Sequence, residues 1–130
     1  MKLYQVIAQT FAAYQNCEKS GNAEWMERHA EKIESIVKER FPRGSGFDSG
    51  TSFDWQAATP EKLVFVTYFY HISEQGGYDG WSEHRITVRP SLVFGFTLTV
   101  SGKNRNRIKD YISEVFADIL ETASDRTLDR

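Results

Sequence analysis

The chain has 130 residues, of which 40% are hydrophobic and 14% aromatic, and its formal net charge is −2. This length and composition are those of one folded domain with its own core, spanning residues 1–130, and not of a disordered chain. The small net charge argues against a nucleic-acid coat and against a polybasic membrane anchor. The single cysteine, Cys17, excludes a disulfide within the chain and a cysteine-rich zinc site.

Residues 1–41 predict a helical hairpin. Apolar positions recur at three- and four-residue steps along the first helix: Leu3, Val6, Ile7, Thr10, Phe11, Tyr14 and Cys17. Gly21 is expected to end that helix and Asn22 to cap the second one. The second helix is predicted to bury Trp25, His29, Ile33, Ile36, Val37 and Phe41. Polar residues interrupt the N-terminal apolar run, so we expect mature structure there and not a signal peptide.

Residues 44–101 predict an antiparallel sheet, because the apolar period changes from helical to two. The expected strands are Leu63–Ile72, about Trp81–Arg89 and Leu92–Val100, with a hairpin loop over Ser73–Gly80 and a turn at Pro90-Ser91. In the last strand one set of alternating residues is predicted to face the core: Leu92, Phe94, Phe96, Leu98 and Val100. The strands follow one another through short turns, which favours a meander.

A third helix is predicted over residues 104–123, followed by a polar tail over 124–130. Its apolar stripe consists of Ile108, Tyr111, Ile112, Val115, Phe116, Ile119 and Leu120. The fold class expected is therefore α+β: an N-terminal two-helix hairpin, a meander of three to four antiparallel strands, and a C-terminal helix packed on one face of the sheet.

The stretch GSGFDSGTSFDW, residues 44–55, marks the change from helix to strand. It lacks the Gly-Lys-Ser/Thr of a phosphate loop, the strand-to-helix context of a dinucleotide fingerprint, and the ligand spacing of a calcium loop. The favoured interpretation is a connector in which Phe47 and Phe53 are buried anchors. The alternative is a short strand near residues 46–54 whose edge binds a ligand or partner.

Five residues are candidates for acid–base chemistry: Asp48, Asp54, His71, Glu83 and His84. Their spacing matches no zinc signature, and no set of nucleophile, base and orienting residue can be assembled from the sequence. We therefore predict neither a metal nor a cofactor, and a small hydrolase is the less favoured hypothesis.

Six residues are candidates for binding a partner: Tyr68, Tyr70, Tyr78, Trp81, Arg85 and Arg89. Trp81 and Tyr78 are expected in a hairpin loop, where exposed aromatic residues mark a recognition surface. Leu63, Phe65 and Phe69 are expected to share the core face. The opposite face then carries the other four candidates together with Thr97 and Thr99: Tyr68, Tyr70, Arg85 and Arg89. The alternative is an ordinary solvated sheet face.

The basic segment Lys103, Arg105, Arg107 and Lys109 is the candidate for binding an anion. Positive charge at the start of a helix opposes the helix dipole, so a bound phosphate, a nucleic-acid backbone or nearby carboxylates would compensate it. Nearby carboxylates are the simpler explanation in this slightly acidic chain.

Four segments, GSGFDSGTSFD, LVFVTYFYH, GGYDGWSEHRITVRPSLVFGF and GKNRNRIKDYISEVF, resemble small uncharacterised proteins encoded by bacteriophage, prophage and plasmid genomes. The resemblance covers a little over half of the chain and implies a mobile-element context. Because neither a signal peptide nor a membrane span is predicted, we expect a cytoplasmic location, which in that context is a bacterial host cell. The hypothesis is a non-enzymatic binding protein with a protein partner, such as a host or phage factor of a defence system. Nucleic acid is a less favoured partner, no membrane partner is expected, and a homodimer is compatible with a long edge strand.

Overall fold

The computed structural model describes residues 1–42, 47–72, 75–91, 95–104 and 107–123. Three helices and four strands follow in the order α1 (Leu3–Ser20), α2 (Ala23–Arg40), β1 (Phe47–Phe53), β2 (Leu63–Ile72), β3 (Tyr78–Ser91), β4 (Gly95–Val100) and α3 (Ile108–Glu121). The strands form one antiparallel sheet in the order β1-β2-β3-β4. The predicted α+β class, the helical hairpin and the meander are confirmed.

The helical hairpin turns where the sequence predicts. Gly21 takes the left-handed conformation, with φ 74°, and the Asn22 side chain accepts a hydrogen bond of 3.3 Å from the Trp25 amide. The expected burial of Trp25 is wrong, since this side chain is 49% exposed, and His29 is only half-buried. Burial on α2 begins at Ile33, so the tip of the hairpin extends beyond the core.

Strand β3 is longer at both ends than predicted. It begins at Tyr78, so residues 78–80 belong to the strand and not to the hairpin loop, and Trp81 lies within the strand. The turn predicted at Pro90-Ser91 is wrong as well, because Pro90 pairs with Phe96. The pairing of β2 with β3 ends at Val88, so β3 has a local edge at Pro90 where the missing amide hydrogen is tolerated.

The core lies between the helices and one face of the sheet, which we call the inner face. Ring contacts join the two layers: Phe11 with Phe53, Phe41 and Phe116 with Phe65, and Tyr4 with Phe96. The predicted anchors Phe47 and Phe53 are both buried, and they belong to a strand instead of a plain connector.

Strand β4 and α3 deviate in detail from the predicted pattern. Phe96, Leu98 and Val100 are half-buried, whereas Thr97 and Thr99 are exposed, as the alternation predicts. Leu92 and Phe94 lie outside the described residues. On α3 the predicted stripe holds except at Tyr111, which contacts Phe47 and Phe69 but remains exposed because it lies at the margin of the core.

The two ends of the described chain lie side by side. The Leu3 amide donates a hydrogen bond of 2.9 Å to the Thr122 carbonyl, and Lys2 forms a bridge with Ala123. Within the described residues, no helix has the length and apolar character needed to span a membrane.

Candidate functional site

The outer face of the sheet, turned away from the helices, carries a group of three neighbouring aromatic residues, Tyr68, Tyr70 and Trp81. Tyr70 pairs directly with Trp81 across β2 and β3. Trp81 meets Tyr68 edge-on, with the ring centroids 5.2 Å apart. Trp81 is 55% exposed and Tyr70 40%. The structure therefore brings together three of the six predicted partner-binding residues as one exposed aromatic group.

Polar residues continue this face next to the aromatic group. The Tyr68 hydroxyl donates a hydrogen bond of 3.2 Å to Glu83 Oε1, its cross-strand partner. Burial raises the pKa of Tyr68, and the hydrogen bond and negative charge of Glu83 raise it further. Tyr68 is thus held as a neutral donor beside the more exposed Trp81.

Arg85 lies one step beyond Glu83 on the same face and forms an ion pair with Asp54. Arg85 is on β3 and Asp54 directly follows β1, so the pair crosses over β2. Val64 and Val66 of β2 are buried although they point to the outer face. Arg85 pairs with Val66 in register, so we infer that its aliphatic stem contributes to the burial of Val66.

The other oxygen of the Asp54 carboxylate closes the turn after β1. Oδ1 accepts hydrogen bonds from the amides of Gln56 at 3.2 Å and Ala57 at 3.1 Å. The hydrogen bond from Arg85 lowers the pKa of Asp54; burial opposes this effect, and the two turn amides and the charge of Arg85 reinforce it. The pKa of Arg85 is raised by the same ion pair. Both oxygens of the Asp54 carboxylate are therefore engaged within the fold, Oδ1 with the turn amides and Oδ2 with Arg85.

Two of the predicted partner-binding residues lie apart from this group. Arg89 is exposed opposite Thr97, eight residues along β3 from Trp81, which is roughly 26 Å in an extended strand. The side chain of Tyr78 lies outside the described residues. Of the two arginines, only Arg85 therefore adjoins the aromatic group.

The inner face carries a buried polar cluster of His71, Ser82 and His84. The Ser82 Oγ atom lies 2.7 Å from His71 Nε2 and 2.6 Å from His84 Nε2. His84 Nδ1 lies 2.8 Å from the Ser101 carbonyl oxygen. A carbonyl only accepts, so Nδ1 donates, and the Nε2 atom of a neutral His84 accepts from the Ser82 hydroxyl. The Ser82 hydroxyl has only one proton, which it donates to His84, so His71 Nε2 donates to Ser82 Oγ. All three hydrogen bonds are therefore donated in the same direction, from His71 through Ser82 and His84 to the Ser101 carbonyl.

A hydroxyl that donates to an imidazole whose other nitrogen donates to an acceptor is also the arrangement of a serine nucleophile and its base. Here the acceptor is a backbone carbonyl, and Ser82 additionally accepts from a second histidine. All three side chains are buried, and Ser82 is 9% exposed. Among the described residues, every buried side-chain nitrogen and oxygen has a hydrogen-bond partner. The cluster thus acts as a satisfied core network that links β2, β3 and the segment after β4.

Gly102 packs directly against this cluster. Its φ is 102°, and a Cβ atom there would lie 2.5 Å from His84 Nδ1 and 2.8 Å from the Glu83 carbonyl oxygen. The backbone approaches the ring so closely that only glycine fits this conformation without displacement.

The sheet divides the five residues predicted for acid–base chemistry. His71 and His84 are on the inner face, whereas Glu83 and Asp54 are engaged with Tyr68 and Arg85 on the outer face. The side chain of Asp48 lies outside the described residues. Nor do three His, Cys, Asp or Glu side chains in the described part of the chain gather closely enough to hold a metal ion.

The predicted basic segment surrounds the start of α3. Lys103 and Arg107 are exposed, Lys109 is half-buried, and Arg105 lies outside the described residues. Arg107 precedes the helix in the left-handed conformation, with φ 61°. Asp110 stands in the first turn of α3 and offsets part of the local positive charge.

A cleft of about 360 Å³ opens beside α1, and its lining includes none of the predicted site residues. Its lining is mainly apolar and consists of Tyr4, Gln5, Ala8, Gln9, Ala12, Pro60, Glu61, Pro90 and Ser91. The sequence offered no signal for it, because its walls come from three separate segments of the chain.

Ser82 is the residue that sequence reasoning missed. It belongs to the same alternating set as His84, Ile86 and Val88, so the pattern itself indicates the inner face.

Comparison of the chain with protein-family models, with curated proteins and with solved structures finds no match in any of the three.

Proposed function

We propose that the chain is a non-enzymatic binding protein that engages a protein partner through the outer face of its sheet. The observation that carries this proposal is the aromatic group, in which Trp81 is 55% exposed beside Tyr70 and Tyr68. Tryptophan, tyrosine and arginine are the residues that most often dominate binding energy at protein interfaces. Contiguous exposed aromatic surface is uncommon on a protein that has no partner.

The charges beside the aromatic group favour a protein over a nucleic acid. Arg85 is neutralised by Asp54, and Glu83 adds a negative charge directly beside Tyr68. A surface that follows a phosphate backbone needs unpaired cations, because that binding is electrostatic. A mixed polar rim around an aromatic centre is instead the usual composition of a protein interface.

The resemblance to proteins of bacteriophage, prophage and plasmid genomes suggests where the partner is to be sought. We place the partner among host or phage factors in the bacterial cytoplasm, with defence systems as the first group to test. This part of the proposal rests on the resemblance alone.

The test is capture of a partner from bacterial lysate by the tagged wild-type chain and by two tryptophan variants. Trp81→Ala removes the centre of the aromatic group. Trp25→Ala is the matched control, because Trp25 is similarly exposed, at 49%, but lies on α2. We expect a stoichiometric partner with the wild type and with Trp25→Ala, and its loss with Trp81→Ala.

With the captured protein purified, calorimetry should give a dissociation constant about 30-fold higher for Trp81→Ala, the effect of losing about 2 kcal/mol at an interface hot spot. Failure to recover a stoichiometric partner under several conditions would count against a binding function. A partner that Trp81→Ala binds as tightly as the wild type does would place the binding surface elsewhere.

A further inference from the structure

The two edges of the sheet differ in how they are protected against pairing with another strand. Strand β1 has a register shift between Asp48 and Thr51, and Gly50 within it has φ 87°. Such an irregularity, with an acidic residue beside it, discourages the addition of a further strand. Strand β4 also begins with a glycine at positive φ, Gly95 at 90°. Unlike β1, however, it shows no register shift, because it pairs with β3 in continuous register from Gly95 to Val100, and it contains no charge and no proline.

The free side of β4 is available for pairing in the described structure. Strand β4 is the last strand of the sheet, and within the described residues no backbone hydrogen bond reaches Phe96–Val100 from beyond that side. Its inward-facing residues Phe96, Leu98 and Val100 remain only half-buried although they pack against the core. An uncharged edge of this kind normally requires a covering element.

The pattern of β4 points to a second copy of the same strand as that element. The residues Phe96-Thr97-Leu98-Thr99-Val100 alternate symmetrically about Leu98. In an antiparallel pair centred on Leu98, Phe96 of one copy lies opposite Val100 of the other, and Thr97 lies opposite Thr99. Apolar residues then meet apolar residues on the helix side, and threonines meet on the other side, a favourable cross-strand pair with no like charges opposed.

We propose that two copies of the chain associate through their β4 strands, antiparallel and related by a twofold axis near Leu98. The contact is isologous, so it closes as a dimer and does not propagate into a fibre. It joins two four-stranded sheets into one continuous sheet. Both outer faces then lie on the same side, so the dimer presents two aromatic groups to one partner surface.

Sedimentation equilibrium of the wild type over a wide concentration range tests this directly. We expect a reversible species of twice the 15.0 kDa chain mass. The variant Thr97→Lys/Thr99→Lys places lysines opposite one another across the proposed contact, and both positions are exposed, so the fold should tolerate the change. This variant should remain monomeric at every concentration at which the wild type is a dimer.

Ser52→Lys/Gln56→Lys is the matched control, since both positions are exposed and belong to β1 or the turn after it. It should dimerise like the wild type. A wild type that stays monomeric throughout, a β4 variant that still dimerises, or a control that dissociates would each overturn the proposal.

Amide hydrogen exchange of the wild type gives a second test that needs no variant. Exchange at Phe96–Val100 should slow as the protein concentration rises, while exchange in β1 should not change. Exchange in β4 that is independent of concentration would contradict the proposed pairing, whatever the variants do.

Discussion

Residues 82–85 of β3 place two kinds of polar chemistry on opposite faces of one sheet. Ser82 and His84 on the inner face are buried within a closed hydrogen-bond network, whereas Glu83 and Arg85 on the outer face are exposed and paired with surface groups. Four consecutive polar residues thus divide into a structural pair and a surface pair. Strand alternation, and not residue type, decides which polar residues the fold depends on and which remain available for recognition.

The strongest way to test the inner half of this comparison is Ser82→Ala. The substitution removes the hydroxyl that bridges His71 Nε2 and His84 Nε2, and it leaves His84 Nε2 without a partner inside the core. A buried polar group left unsatisfied costs about 1–3 kcal/mol, so we expect the free energy of unfolding to fall by about 1–3 kcal/mol. Urea denaturation followed by circular dichroism measures the change.

The matched variant on the outer face is Glu83→Ala, one residue along the same strand. Glu83 is exposed and loses one hydrogen bond with Tyr68, so the expected change is within about 0.5 kcal/mol. Equal losses in the free energy of unfolding for Ser82→Ala and Glu83→Ala would contradict the idea that the fold depends on the buried polar residues of β3 and not on the exposed ones.

On the outer face, Arg85→Ala is expected to destabilise the fold less than Ser82→Ala but more than Glu83→Ala. The variant removes both the ion pair with Asp54 and the aliphatic stem beside Val66, and we expect a measurable fall in the free energy of unfolding that is smaller than that of Ser82→Ala. Arg85→Met retains much of the stem without the charge and should recover about half of that loss. If methionine is no better than alanine, the stem does not cover the valines.

The last test concerns the pH dependence of stability through Asp54. The ion pair and the turn amides lower its pKa in the folded state below the unfolded value of about 4. The group therefore stabilises the fold above that value, and the stabilisation is lost as the pH falls through the folded pKa.

Asp54→Asn, which retains the acceptor for the turn amides, isolates this contribution. The difference in the free energy of unfolding between the wild type and Asp54→Asn should be greatest near neutral pH and should shrink as the pH falls below about 4. Urea denaturation at a series of pH values measures it. A difference that stays constant with pH would show that the Asp54 charge does not stabilise the fold.

Local patterns predicted most of the fold because they express local physics. The end of α1 at Gly21, the Asn22 cap and the bounds of β2 follow from conformational and hydrogen-bonding preferences of single residues. Trp25 shows the limit of such reasoning. It lies on the predicted stripe of α2, but how far the stripe is covered depends on where the core ends, and this is a tertiary property.

The site was harder to predict than the fold. The outer-face placement of Tyr68, Tyr70 and Arg85 followed from alternation, whereas the pairing of Arg85 with Asp54 across β2 depends on strand order, which the sequence does not encode locally. His71 and His84 were two of the five candidates in the less favoured acid–base hypothesis. The register instead places Ser82 between the two rings and makes them part of the core.

The bridge between residues 2–3 and 122–123 has a consequence for the order of folding. Each strand pairs with its sequence neighbour, so the sheet can assemble through short loop closures. The contact of Leu3 with Thr122 instead closes a loop of almost the whole described chain, at an entropic cost that grows only logarithmically with loop length. The meander is therefore expected to form first, and docking of the start of α1 beside the end of α3 completes the native state.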